Sequence, residues 1–77
     1  MIEMRNEERL QAGLNFIDSY KGFIEKAKSF DELNAGFGGA IAALSLLHVI
    51  GLIDKTRHDN LAADLASISD KVSRSIS

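Results

Sequence analysis

Residues 35–53 read AGFGGAIAALSLLHVIGLI, nineteen positions without a charged side chain and with only Ser45 and His48 as polar side chains. A run of that length could just cross a bilayer, and its mean hydropathy of roughly 2 would pass a span threshold. It could equally be the central helix of a small bundle, apolar all round because neighbours cover it. The flanks decide between the two. Helices on either side each carry an apolar stripe that needs covering, and a wholly apolar central helix supplies that cover. Basic residues are nearly balanced across the run, with Arg5, Arg9, Lys21, Lys26 and Lys28 before it and Lys55, Arg57, Lys71 and Arg74 after it. No charge bias therefore sets a membrane orientation, and no Trp or Tyr belt marks the ends. His48 would sit deep in hydrocarbon and need a partner there. The expectation is a soluble, all-α three-helix bundle, a helical hairpin plus a third helix.

The expected helices are 6–28, 30–50 and 55–75, in one domain over 1–77 with 1–5 frayed. In the first, Asn6 is placed to cap, and Glu7 and Glu8 suit the positive end of the helix dipole. Leu10, Leu14, Ile17 and Ile24 recur at helical spacing, with Gly13, Phe16, Tyr20, Phe23 and Ala27 widening the face. Phe16, Phe23 and Phe30 are seven apart, as if on one line of a helix. Gly22 is a weak point, costing about 1 kcal/mol against alanine. Ser29-Phe30-Asp31-Glu32 has the S-x-x-E form of a capping box, which starts the second helix. Gly36, Gly38 and Gly39 either permit a close helix crossing or break the helix near Ala35. Gly51 stands where a glycine ends a helix, and Asp54 is placed to cap the third. There Leu61, Leu65, Ile68, Val72 and Ile76 form a single stripe, the mark of an amphipathic helix.

Composition narrows the function classes. The 77 residues contain no cysteine, which excludes disulfides and thiolate metal sites. The net charge of −2 lacks the basic excess that phosphate binding requires. No apolar stretch follows a basic start, so no secretory signal is expected, and the location expected is cytoplasmic. The glycines are not a phosphate loop, because no Lys-Ser/Thr follows and no strand precedes. His48 and His58 are the only histidines. The first reads as a buried histidine bonded to a carbonyl or carboxylate, the second as part of a solvated helix start. Neither belongs to a His-x₃-His or Glu-x-x-His pair, so no metal or other cofactor is expected. The serines Ser67, Ser69, Ser73, Ser75 and Ser77 lack a base and an orienter, and a non-enzyme is expected.

What remains is a protein that acts by touching other proteins. Two neighbouring helices leave one side of the central helix uncovered, which points to a homodimer. The self-association face is expected at Phe37, Ile41, Leu44, Leu47 and His48, and contacts to a protein partner at Glu7, Glu8, Asp18, Glu25, Asp64 and Asp70. Two other classes stand beside this: a single-span, holin-like membrane protein using 35–53, and a small DNA-binding regulator whose recognition helix starts Lys55-Thr56-Arg57-His58. Asp54, Asp59 and Asp64 at that end argue against nucleic acid as a partner.

The order Ser29-Phe30-Asp31-Glu32-Leu33, a Gly-rich apolar helix, Gly51-Leu52-Ile53-Asp54 and a short amphipathic helix resembles small all-α proteins encoded by phages. That class includes anti-CRISPR-type inhibitors. The resemblance covers about the last fifty residues and rests on capping signals. It implies inhibition by occlusion, with a compact acidic protein binding a host defence protein in the bacterial cell. No binding motif carries over, because the class shares none.

Overall fold

A computed structural model describes residues 5–76, which form three helices: α1 (Asn6–Glu25), α2 (Phe30–Val49) and α3 (Lys55–Ile76). The expected all-α bundle is what the chain adopts, and the Gly36–Gly39 stretch is helical throughout. For residues 1–4 the expected fraying concerns positions outside the described residues.

The joints are set by local hydrogen bonds. Ser29 is extended (φ −139°, ψ 160°), and its Oγ accepts from the Glu32 backbone N–H at 3.2 Å. The Glu32 carboxylate reaches one residue further back than in a capping box. It accepts from the Lys28 N–H at 2.8 Å. Lys28 and Ser29 are thereby engaged by α2, and α1 stops at Glu25 rather than at 28. For the same reason Phe30 opens α2 and does not continue the line of Phe16 and Phe23. At the other end of α1 the N-cap is Arg5, with no side-chain hydrogen bond, and Asn6 is already helical. The expected Asn6 cap is therefore replaced by an extended Arg5.

The C-terminus of α2 is a Schellman turn. Gly51 has φ +81°, the Leu52 N–H donates to the Leu47 carbonyl at 2.9 Å, and the Gly51 N–H donates to the His48 carbonyl at 3.0 Å. A left-handed φ of this kind is where glycine is strongly preferred. Three residues on, Asp54 Oδ1 accepts from the Arg57 N–H at 2.8 Å and starts α3, as the sequence indicates.

Short connections make each consecutive helix pair antiparallel. The fully buried side chains Ile17 and Ile24 of α1, Leu44 of α2 and Leu65 of α3 form the centre of the core. Leu61, Ile68, Val72 and Ile76 pack on it from α3, the stripe expected of that helix. The Cα envelope is flattened, at 47 × 27 × 13 Å, with α2 between its two neighbours.

Close approach of α1 and α2 depends on glycine. A Cβ on Gly36 would lie 2.7 Å from Phe23 Cδ1 and 3.0 Å from Ile24 Cγ1, and one on Gly39 would strike the Tyr20 ring. One on Gly13 would press into Leu47, 2.5 Å from its Cδ2. Of the two readings of the Gly36–Gly39 stretch, the structure shows the close crossing.

Gly22, by contrast, has nothing within 4 Å of its would-be Cβ. Gly22→Ala is expected to raise stability by about 0.5–1 kcal/mol through helix propensity. Gly36→Ala is expected to lower it by about 1–3 kcal/mol, because the added carbon meets Phe23 at 2.7 Å and the fully buried Ile24 at 3.0 Å. Thermal melts of the two variants check this, and a Gly36→Ala melt above wild type would show that the crossing is not tight.

Candidate functional site

Three regions gather the side chains that could act on something outside the chain. The first is the corner between α2 and α3. His48, in the last turn of α2, lies at the surface rather than buried, with Nδ1 3.3 Å from the Ile53 carbonyl oxygen. The carbonyl only accepts, so a bond there places the proton on Nδ1. Across the turn, His58 Nδ1 is 3.1 Å from Asp59 Oδ1, and the two imidazole centroids are 5.2 Å apart. Among the described residues no three His, Asp or Glu side chains converge in the way a bound metal ion requires.

The basic start of α3 is partly neutralised within itself. Lys55 Nζ donates to Asp59 Oδ2 at 2.8 Å. That hydrogen bond holds the Lys55 pKa above its ordinary value and is the main cause that holds Asp59 below its own, with a second hydrogen bond from His58 acting in the same direction. Both side chains face water, which limits the net effect on stability.

The second region is an open groove of ≈ 290 Å³ between the start of α2 and the middle of α3, with Phe30 and Phe37 on one wall and Ser69 and Asp70 on the other. Its polar groups are largely engaged. Asp70 pairs with Arg74 at 2.8 Å, and the Ser73 hydroxyl donates to the Asp70 carbonyl at 2.9 Å. Ser69 Oγ is buried without a hydrogen-bond partner. One hydroxyl beside apolar walls gives no pair of groups that could activate a nucleophile or exchange a proton.

The third region is the side of the α1–α2 hairpin that α3 does not cover. Along α1, Phe16 (53% exposed) and Phe23 (49%) flank Tyr20, and the Phe16 and Tyr20 rings meet edge-on at 5.0 Å. Along α2, Ala35, Gly38, Ala42, Leu46 and Val49 recur at spacings of three and four and are all exposed. Val49 is the extreme, at 78%. Gly39, beneath Tyr20, is three or four residues from Ala35, Ala42 and Gly36, so the aromatic row borders the α2 strip directly. No charged residue belongs to either row.

This redistributes the expected self-association face. Leu44 and Leu47 lie inside the chain's own core, at 0% and 5% exposure, and are not free to meet another molecule. Phe37 and Ile41 are half-buried against that core, and His48 stands at the corner. The outward side of α2 instead carries Leu46 and Val49, with exposed Ile50 just past the helix end. A helix apolar on every side has no periodicity to reveal which side faces out. Gly36 and Gly39, bordering Tyr20, were readable as a close crossing or as a break in the helix, and neither reading pointed to an outer face.

The proposed acidic contacts are all exposed. Glu7, Asp18 and Glu25, at spacings of eleven and seven, share one line of α1. Glu8 stands apart from that line in the first turn. Asp64 and Asp70 lie on α3, Asp70 paired with Arg74. Asp18 is 3.8 Å from Lys21.

No protein-family model, curated protein or solved structure matches the chain.

The Lys55–Asp59 pair has a defined pH window. A carboxylate whose folded pKa is lowered stabilises above its unfolded value, near 3.8, and loses that contribution as pH falls through the lower folded value. A lysine whose pKa is raised stabilises below 10.5 and loses that as pH rises through the higher one. Asp59→Asn should therefore lower the melting temperature slightly at neutral pH, and the difference from wild type should close below pH 4. Paired melts at pH 7 and pH 2.5 check it. A difference that persists undiminished at pH 2.5 would assign the effect to something other than the carboxylate.

Proposed function

We propose that this chain is a non-enzymatic protein-interaction module that inhibits or regulates a host protein by occupying its surface, in the manner of the small phage-encoded inhibitors it resembles. The observation that carries the reading is the separation of its surfaces. An apolar face lies on one side of the hairpin, with Asp31 at its α2 end, and most other acidic groups are spread along the helices away from it. Interaction proteins use apolar area for affinity and charges at the margin for orientation and on-rate. The acidic line Glu7, Asp18 and Glu25 suits a basic site on the target, in the bacterial cytoplasm where such an inhibitor would act. No cofactor enters this reading.

A single-span membrane protein is the second reading, and one observation favours it. Phe30–Val49 is the one described helix long and apolar enough to cross a membrane, with mean hydropathy 1.2 over its best window and 28% of that window buried. The Schellman turn weighs against it. It ends the helix at Val49 and leaves Ile50, Leu52 and Ile53 outside, so the charge-free helical run from Leu33 to Val49 is about 25 Å long. A hydrocarbon core is about 30 Å thick.

A photo-crosslinking side chain placed at Asp18 or Glu25, in bacteria expressing the full chain, tests the proposal. The expected result is one discrete adduct with a different protein, lost when the remaining acidic residues of the Glu7–Asp18–Glu25 line are replaced by lysine. The absence of any adduct with another protein, from these sites and from Asp64 and Asp70 alike, would overturn it.

A further inference from the structure

We propose that the uncharged side of the α1–α2 hairpin is the docking surface for a second copy of this chain, with the aromatic row of one protomer seated over the small-residue strip of the other about a twofold axis. The proposal rests on the interaction-module reading and names the partner of one of its faces.

Shape is the first argument. Phe16 and Phe23 stand about half out of the surface, and beside them the exposed strip of α2 carries nothing larger than a methyl group at Ala35, Gly38 and Ala42. A Cβ built on Gly38 meets nothing within 4 Å, so the strip is open there. A twofold interface requires one patch to offer both a projection and a low surface that receives it, because each surface meets itself. This patch offers both. Neither a lipid surface nor an unrelated partner calls for a projection and a low strip side by side.

Charge is the second argument. Two copies of a chain of net charge −2 repel unless they meet through a neutral surface. Among the described residues the aromatic row and the α2 strip form such a surface, bounded at its ends by exposed Arg9, seven before Phe16, and exposed Asp31, seven before Gly38. Glu7, Asp18 and Glu25 lie on a different line of α1. They remain outside when the faces join, available to a separate target.

Area is the third. An aromatic ring half exposed leaves roughly 100 Å² uncovered. Phe16, Phe23, Leu46 and Val49, each about half exposed or more, together with Tyr20 and the strip between, bring two copies to the order of 1,000 Å². That is where specific interfaces begin. A chain of this size also gains most from a shared core, since its own is small.

Light scattering behind size-exclusion chromatography, on the full chain without detergent and over a hundredfold range of concentration, is the test. The expected mass is twice 8.4 kDa. Ala42→Lys, which places an unpaired ammonium at the centre of the strip, should weaken dimerisation at least tenfold while the circular dichroism stays helical. Ala63→Lys, on the exposed side of α3, should leave the dimer intact. Val49→Lys repeats the test nearer the helix end, should Ala42→Lys fail to fold. A monomer at every concentration overturns the proposal and leaves the interaction-module reading standing, since a different protein can still bind. A dimer indifferent to both Ala42→Lys and Val49→Lys overturns it by placing the contact elsewhere. Binding to vesicles of phosphatidylglycerol and phosphatidylethanolamine, lost in Ala42→Lys, overturns it in favour of lipid and counts against the interaction-module reading as well.

Discussion

The crossing of α1 and α2 over glycine is the contact on which the rest of the molecule depends. Gly13, Gly36 and Gly39 each remove a side chain where the opposite helix comes closest, against Leu47, Phe23 with Ile24, and Tyr20. Two consequences follow from that one constraint. The helices come near enough for Ile17, Ile24 and Leu44 to be fully buried with Leu65 of α3. The rings of Tyr20 and Phe23, meanwhile, lie against α2 at bare backbone positions and do not enter the core. Their outer sides stay in contact with water. The aliphatic interior and the aromatic surface are thus two results of the same packing choice.

The joints turn this contact into an asymmetric molecule. Ser29 and Glu32 fix where α1 must stop, and Gly51 fixes where α2 must stop. With connections so short, α1 and α3 can only return along α2, each in the opposite direction. Both then compete for the side of α2 that carries Leu33, Ala40, Leu44 and Leu47, the buried positions of that helix. The far side, from Ala35 to Val49, receives no helix at all. An apolar central helix in a three-helix chain therefore leaves apolar surface in water, and larger domains avoid this only by adding elements.

Much of this was legible in the sequence, and the division between what could and could not be read is physical. Capping is local: Ser29 with Glu32, Gly51 and Asp54 announce their roles within four residues, and each stands where its chemistry places it. The stripe of α3 was readable because polar residues outline it. The end of α1 was not, since Glu25 to Lys28 is compatible with helix, whereas in the fold the Lys28 N–H bonds to Glu32 of the next helix. Arg5 displacing Asn6 as cap has the same character, two adjacent residues both tolerable at one place. Orientation of α2 was the larger gap. Leu44 and Leu47 are indistinguishable in sequence from Leu46 and Val49, yet one pair is buried and the other exposed. The proximity of His48 and His58 depends on the turn between them, and neither residue carries a sign of the other.

Folding and surface chemistry are carried by different residues even where they are adjacent in the chain. Gly36 and Gly39 face α1 and tolerate no added carbon without movement of Phe23, Ile24 or Tyr20, whereas Gly38, between them, faces open space. Ala40 is fully buried, and Ala42, two residues on, is exposed. A side chain at Gly38, Ala42 or Val49 can change the outer face without disturbing the core, while a change at Gly36 or Ala40 strikes the core first. The apolar character of the outer strip is therefore not imposed by folding. Polar residues at Ala42, Leu46 and Val49 would have served the monomer at least as well, because exposed apolar area adds nothing to its stability. Nothing in the fold of a single chain requires their apolar identity.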